Sequence, residues 1–225
     1  MKCKKRKVFL FLTAWMALFA AGCGLFKDFD AEGYVRALLN QTFGGEVKEA
    51  AKVMGDTSEE ELKEQYEEEI STFVRKNLVS GIQMDDAVQK EYESVCKEIF
   101  RAMKYEVKGA EKTDKKEYDV SVEIQPSDIF IKFTDAVKED SRRLMEKADK
   151  GEYQGTESEI SSQMQKEFVA DALGLLKQAR SEMQYGEKET VIIKVTGNKN
   201  NEFTVDEEEI SNLITKILRL DEIQG

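Results

Sequence analysis

The sequence predicts an α+β fold, mostly helical, with one small antiparallel sheet of about four strands. Three observations carry that reading. From Phe29 onward, apolar residues recur at three- and four-residue steps through most of the chain. The period switches to two around Tyr118–Ile124 and again around Val191–Val195. Each alternating run has a second short strand beside it across a polar turn. The chain has 225 residues, 40% of them hydrophobic and 35% charged. That is long enough for a domain with a core of its own, and too patterned for a disordered chain.

Residues 1–28 stand apart from this pattern. MKCKKRK is basic, Val8 to Ala21 is a 14-residue apolar run, and Gly22-Cys23 follows. A basic front, an apolar middle and small residues at the close are the layout of an export signal. The run is shorter than the roughly 20 residues a membrane-spanning helix needs. Ala20-Ala21-Gly22-Cys23 resembles the lipobox of bacterial lipoproteins, with Ala20 where that family usually has leucine. The resemblance implies cleavage before Cys23 and a diacylglyceryl group on its sulfur. The alternative is an ordinary secreted protein with a cysteine at that place by chance. The expected division is therefore a signal peptide over 1–22, a lipidated end and tether over 23–28, and one extracytoplasmic domain over 29–225.

The first helix places Phe29, Tyr34, Val35, Leu38, Leu39 and Phe43 on one stripe, and Gly44-Gly45 breaks it. A short second helix carries Val47, Ala50, Ala51, Val53 and Met54 and stops at Gly55, suited to a left-handed turn. Ser58 and Glu61 form a capping box for the third, whose stripe is Leu62, Tyr66, Ile70, Phe73, Val74 and Leu78, with Gly81 to end it. The fourth begins near Asp85 and presents Val88, Tyr92, Val95, Cys96, Ile99, Phe100 and Met103. Cys96 lies in that stripe and reads as a small buried apolar residue.

Tyr105 to Val107 opens a strand, and Thr113-Asp114-Lys115-Lys116 turns it into the alternating run Tyr118, Val120, Val122, Ile124. Pro126 ends the hairpin, and Ser127 and Asp128 can cap a helix bearing Ile129, Phe130, Phe133, Val137 and Leu144. Asp149 to Gly155 is polar and glycine-bearing, a loop between halves. Thr156 and Glu159 box the next helix, with Ile160, Met164, Phe168, Leu175, Leu176, Ala179 and Met183 as its apolar positions. Val191, Ile193 and Val195 alternate as a strand, and Gly197 to Asn201 turns into Phe203 and Val205. Asp206 with Glu209 caps a last helix carrying Ile210, Leu213, Ile214, Ile217 and Leu218. Because Ile192 adjoins Ile193, that strand is apolar on both faces: either helices cover both or one lines a groove.

The order long helix, two strands, helix occurs twice, so the chain reads as a repeated helix–hairpin–helix unit with structural halves at 29–149 and 156–225. In outline this resembles the helix-plus-curved-sheet domains of cystatin or NTF2-like proteins. It also resembles a group of clostridial-type lipoproteins of uncharacterised function. The likeness rests on the lipobox, the aromatic start at Tyr34-Val35, the acidic cap at Ser58-Glu59-Glu60-Glu61, and the strand at Tyr118 to Ile124. It implies a membrane partner through Cys23, a place on the extracytoplasmic face, and no particular activity.

Charge and composition exclude several functions. The chain's net charge is −11, and removing a leader with five basic residues and no acid leaves −16. So acidic a body repels phosphate backbones, and nucleic acid is not expected as a partner. There is no histidine, which removes imidazole-based triads and imidazole-ligated zinc. Of three cysteines only Cys96 falls inside the expected fold, so no internal disulfide forms. No phosphate loop, dinucleotide fingerprint, nucleophile elbow or calcium loop occurs. Runs of glutamate at 59–61, 67–69 and 207–209 fan out around their helices and read as solvated surface. Tyr34, Tyr66, Tyr92, Phe100 and Phe168 fall on apolar stripes and read as core. The expected site residue is thus Cys23 for lipid, with no catalytic, cofactor or metal residue and no cofactor. The expected function is a non-enzymatic binding or interaction module of unknown ligand. The alternatives are an accessory solute-binding lipoprotein of a transporter and a carboxylate-dependent hydrolase.

Overall fold

A computed structural model describes residues 29–55, 57–79, 81–82 and 84–223. The leader, Cys23 and the tether lie outside the described residues. Among the described residues the fold is α+β, with seven helices and a four-stranded antiparallel sheet. The chain forms two compact units, each drawn from three stretches. One takes residues up to Glu69, Tyr105–Ile124 and Thr190–Ile214. The other takes Ile70–Lys104, Gln125–Glu189 and the residues from Thr215 on.

The first unit opens with α1 (Ala31–Gly44). The Asp30 carboxylate accepts the Gly33 N–H at 2.8 Å, satisfying one of the unpaired donors of the first turn. Tyr34, Val35, Leu38, Leu39 and Phe43 are buried as their spacing predicts. Gly45 ends the helix at φ 70°, and the N–H groups of Gly45 and Glu46 donate to Gln41 and Asn40 carbonyls. Helix α2 (Val47–Met54) packs on α1 but buries only Ala50 and Met54 fully. Helix α3 (Glu59–Phe73) starts on the expected box: Ser58 N–H donates to Glu61 at 2.8 Å, and Glu61 N–H donates to Ser58 Oγ at 3.2 Å.

The sheet runs in the order β1-β2-β3-β4, with β1 (Lys104–Asp114), β2 (Glu117–Gln125), β3 (Glu189–Gly197) and β4 (Phe203–Val205). Lys115-Lys116 is the two-residue turn of the first hairpin. Strand β2 is the inner spine: Tyr118, Val120, Val122 and Ile124 are all buried on one face. Val195 pairs with Val205, and Gly197 with Phe203. Ile192 is 44% exposed, and Thr190, Lys194 and Thr196 on the same face are exposed too. That face of β3 is open to solvent, so helices do not cover both faces of the strand. Helix α7 (Glu207–Ile217) buries Ile210, Leu213 and Ile214. Its expected box does not close. Asp206 accepts from Glu208 N–H at 2.8 Å, while the Glu209 carboxylate accepts the Lys194 N–H of β3.

The second unit is helical. After Phe73, α3 widens into a π turn over Val74–Leu78, which keeps Val74 and Leu78 buried. Helix α4 (Asp86–Arg101) is capped by Asp85, whose carboxylate accepts Val88 N–H at 2.9 Å. Helices α5 (Ile129–Asp149) and α6 (Glu157–Ser181) pack against each other, and α4 packs on α6. Phe73, Phe100 and Phe130 form an aromatic knot with centroids 5.2 and 5.5 Å apart. Tyr92 donates its buried hydroxyl to the Val169 carbonyl at 2.7 Å.

Two local expectations change here. Ser127 Oγ accepts Ile129 N–H at 3.3 Å, as a cap should, but Asp128 does not cap its own helix. Its carboxylate accepts Gln184 N–H at 2.7 Å and pairs with Lys132 at 3.0 Å. On α6 the fully buried face is Val169, Ala172, Leu173, Leu176 and Ala179, while Ile160, Met164, Phe168 and Leu175 are only half buried. Two neighbouring helices set that face, and small alanines permit the close approach that large residues forbid.

A glycine provides the sharpest check on this architecture. A Cβ on Gly45 would lie 2.7 Å from the Tyr66 ring, at a φ only glycine adopts freely. Gly45→Ala should cost about 2–4 kcal/mol in urea unfolding, from left-handed strain plus overpacking. Gly44→Ala meets only the flexible Glu46 side chain and should change stability little.

Candidate functional site

Two places gather chemistry-bearing side chains. In the first unit, Phe29 precedes α1 and its ring lies flat on Phe203, centroids 3.8 Å apart and planes 8° from parallel. Tyr34 and Tyr118 flank Phe29 at 5.6 and 5.9 Å, and Tyr118 meets Phe203 edge-on at 5.9 Å. Gly197, the cross-strand partner of Phe203, makes room for the stack, since a Cβ there would stand 2.7 Å from the Phe203 ring. Lys116 ties the two sheet turns together. Its Nζ donates to the Asn198 carbonyl at 2.6 Å, and its carbonyl accepts Gly197 N–H at 2.7 Å. Lys112 Nζ stands over the Tyr118 ring at 5.6 Å. The chain therefore enters the first unit at a fixed point beside both turns.

In the second unit a hollow of about 360 Å³ between α5 and α6 is lined by Asp140, Arg143, Glu167, Asp171, Gly174 and Leu175. Arg143 spreads its guanidinium over three carboxylates: Asp140 at 2.8 Å, Glu167 at 3.0 Å and Asp171 at 2.5 Å. Lys147 pairs with Glu167 at 2.6 Å, and the Tyr153 hydroxyl donates to it at 2.8 Å. The hydrogen bonds from Lys147, Tyr153 and Arg143 hold Glu167 well below the usual carboxylate range, at about 2. Burial, followed by the charge of Asp140, pushes Asp171 up, against the pull of Arg143. Glu167 and Asp171 are thus bound by cations, and neither is placed as a free base. The chemistry available is that of a staple between two helices.

A second hollow of about 340 Å³, between α4 and α6, has the same character: Lys177 pairs with Glu91 at 2.9 Å and Arg180 with Glu98 at 3.0 Å. Exposed pairs of this kind are each worth little. Among the described residues, no group of three or more Asp, Glu or Cys side chains is arranged to hold a metal ion. Cys96 is fully buried, and burial, helped by the charge of Glu93, pushes its thiol up, away from the reactive thiolate. Tyr34, Tyr66, Tyr92 and Phe100 are core, and Phe168 is half buried. Of the glutamate runs, Glu61 closes a cap and Glu209 holds an unpaired strand N–H, a role that no local spacing signals. Arg143 and Glu167 sit 24 residues apart and carried no motif.

No described protein family matches this chain, and no curated protein does. Among solved structures it is similar to that of YcdA from Bacillus subtilis, a proposed lipoprotein, at 13% identity and a TM-score of 0.47. The overlap covers 84% of this chain and 56% of that one, so the chain spans little more than half the length of this neighbour. Among the described residues no helix is long and apolar enough to cross a membrane.

The staple makes a pH prediction. Because the folded pKa of Glu167 is depressed, its contribution is complete above the unfolded value, near 4.3. It is lost as pH falls from about 4.5 toward 2. Thermal melts of Glu167→Gln and the unaltered protein should differ at pH 7, with the variant less stable, and the gap should narrow below about pH 4.5 and close only below about pH 2.

Proposed function

We propose that this protein is an extracytoplasmic lipoprotein, cut before Cys23 and held to a membrane by a diacylglyceryl group on that sulfur. The observation that carries the reading is Ala20-Ala21-Gly22-Cys23, placed directly after a basic front and a 14-residue apolar run. Two acyl chains suffice for durable attachment where one is marginal. The ordered helical pattern starts at Phe29, six residues beyond Cys23, so the anchored end and the folded body are close neighbours along the chain.

The body itself works as a non-enzymatic binding or interaction module. Support comes from the lack of histidine and from the cation pairing of the carboxylates that line the α5–α6 hollow. A general base needs a group poised near the working pH, and Glu167 is held far below it. A net charge of −16 after leader removal keeps such bodies apart at a crowded surface.

Fractionation of cells expressing the native chain tests the anchor. The native protein should pellet with membranes, and Cys23→Ser should move to the soluble extracytoplasmic fraction. Mass spectrometry should show a mature chain starting at Cys23 with two acyl chains' added mass. An unmodified sulfur with the leader attached would overturn the reading.

A further inference from the structure

We infer that the turn end of the first unit's sheet is its membrane-facing surface, with lysines of both turns meeting phospholipid headgroups. The inference rests on the proposed anchor at Cys23, and what it adds is a direction. Five residues lie between Cys23 and Phe29, and the six Cα–Cα steps they make reach at most about 20 Å. The geometry at Phe29 fixes where that reach begins. Its ring is stacked on Phe203 and flanked by Tyr118, the first buried residue of β2, while Asp30 caps α1 immediately after it. Phe203 opens β4 directly after the β3–β4 turn, and Tyr118 follows the β1–β2 turn by one residue. Both turns are therefore within the tether's compass.

The other end of this unit lies at the limit of the same measure. Helix α1 leads away from Phe29, and its Asn40 and Phe43 meet Tyr105 at the start of β1. From Lys115 back to Glu106 the strand covers roughly 30 Å. From Phe29 to Phe43 the chain advances about 20 Å along α1, so only a fully extended tether brings that end to the bilayer, whereas the turn end lies beside the tether's origin.

The charge of the turn end fits this assignment. Residues 111–117 and 198–202, with Asp30 beside Phe29, contain Lys112, Lys115, Lys116 and Lys199 against Asp30, Glu111, Asp114, Glu117 and Glu202, a net of −1. The mature chain as a whole carries −16. This end is close to neutral, so anionic headgroups repel it less than they repel the acidic remainder. Lys116 is committed to turn carbonyls and Lys112 leans over Tyr118, so Lys115 and Lys199, both exposed, are the leading contacts.

The test uses the full lipidated protein in phosphatidylcholine–phosphatidylglycerol vesicles that carry a quencher on the headgroup. A fluorophore goes on Lys115→Cys, Lys199→Cys or Glu106→Cys in separate preparations. Buried Cys96 does not compete for label, and acylation occupies Cys23. Labels at 115 and 199 should be quenched several-fold more than the label at 106, and replacing phosphatidylglycerol by phosphatidylcholine should narrow the gap. Equal quenching, or stronger quenching at 106, in protein that does float with the vesicles overturns the orientation. Protein that neither floats nor carries acyl mass overturns the anchor instead, so the two failures are distinct.

Discussion

Phe29 lying flat on Phe203 is the contact that fixes how α1 and the sheet turns of the first unit meet. Aromatic pairs contribute about 0.5–1.5 kcal/mol beyond their buried area, a modest sum, but here it acts where the start of α1 is seated against the β4 strand. Several features converge to hold it. Asp30 caps α1 in the next position, the Gly197↔Phe203 pairing leaves space for the ring, and Lys116 fastens the two turns side by side. An anchor attached through slack chain would leave orientation free. The lipid anchor proposed at Cys23, six residues before this clamped aromatic, would restrict it.

The second unit makes its statement through charge. Arg143 binds three carboxylates at once, and Glu167 collects a lysine, a tyrosine and that arginine. Multidentate arginine geometry orients as well as attracts. The network lies across the α5–α6 packing, where Met145 on α5 is 61% exposed and no residue of α6 before Val169 is fully buried. Ion pairs there add orientation to two helices that packing already holds together. The same pairing removes the chemistry that an unpartnered carboxylate pair would offer.

How much of this was legible in the sequence depends on the range of the interaction. The stripe Tyr34, Val35, Leu38, Leu39, Phe43 and the boxes Ser58/Glu61 and Thr156/Glu159 are written in three- and four-residue spacings, and they fold as written. The alternation of β2 is equally local, since a pleated strand sends neighbours to opposite faces. Asp206/Glu209 has the same spacing as those boxes, yet Glu209 serves β3. The β4 pairing begins only at Val195, which leaves the Lys194 N–H beyond the ladder. Asp128 serves Gln184 for a similar reason. In each case a distant backbone donor competes with the nearby one, and spacing cannot show which is available.

The sequence by itself determined the α+β class, the number and order of the elements, the burial of Cys96, and the want of imidazole chemistry. Each follows from composition or from contacts within one turn or one strand. Only the tertiary structure decided which face of α6 is covered, that Ile192 looks outward, that Arg143 gathers Asp140, Glu167 and Asp171, and that Phe29 is seated on Phe203. Those outcomes depend on the shape and distance of partners far along the chain, because packing selects among faces that local periodicity leaves equivalent.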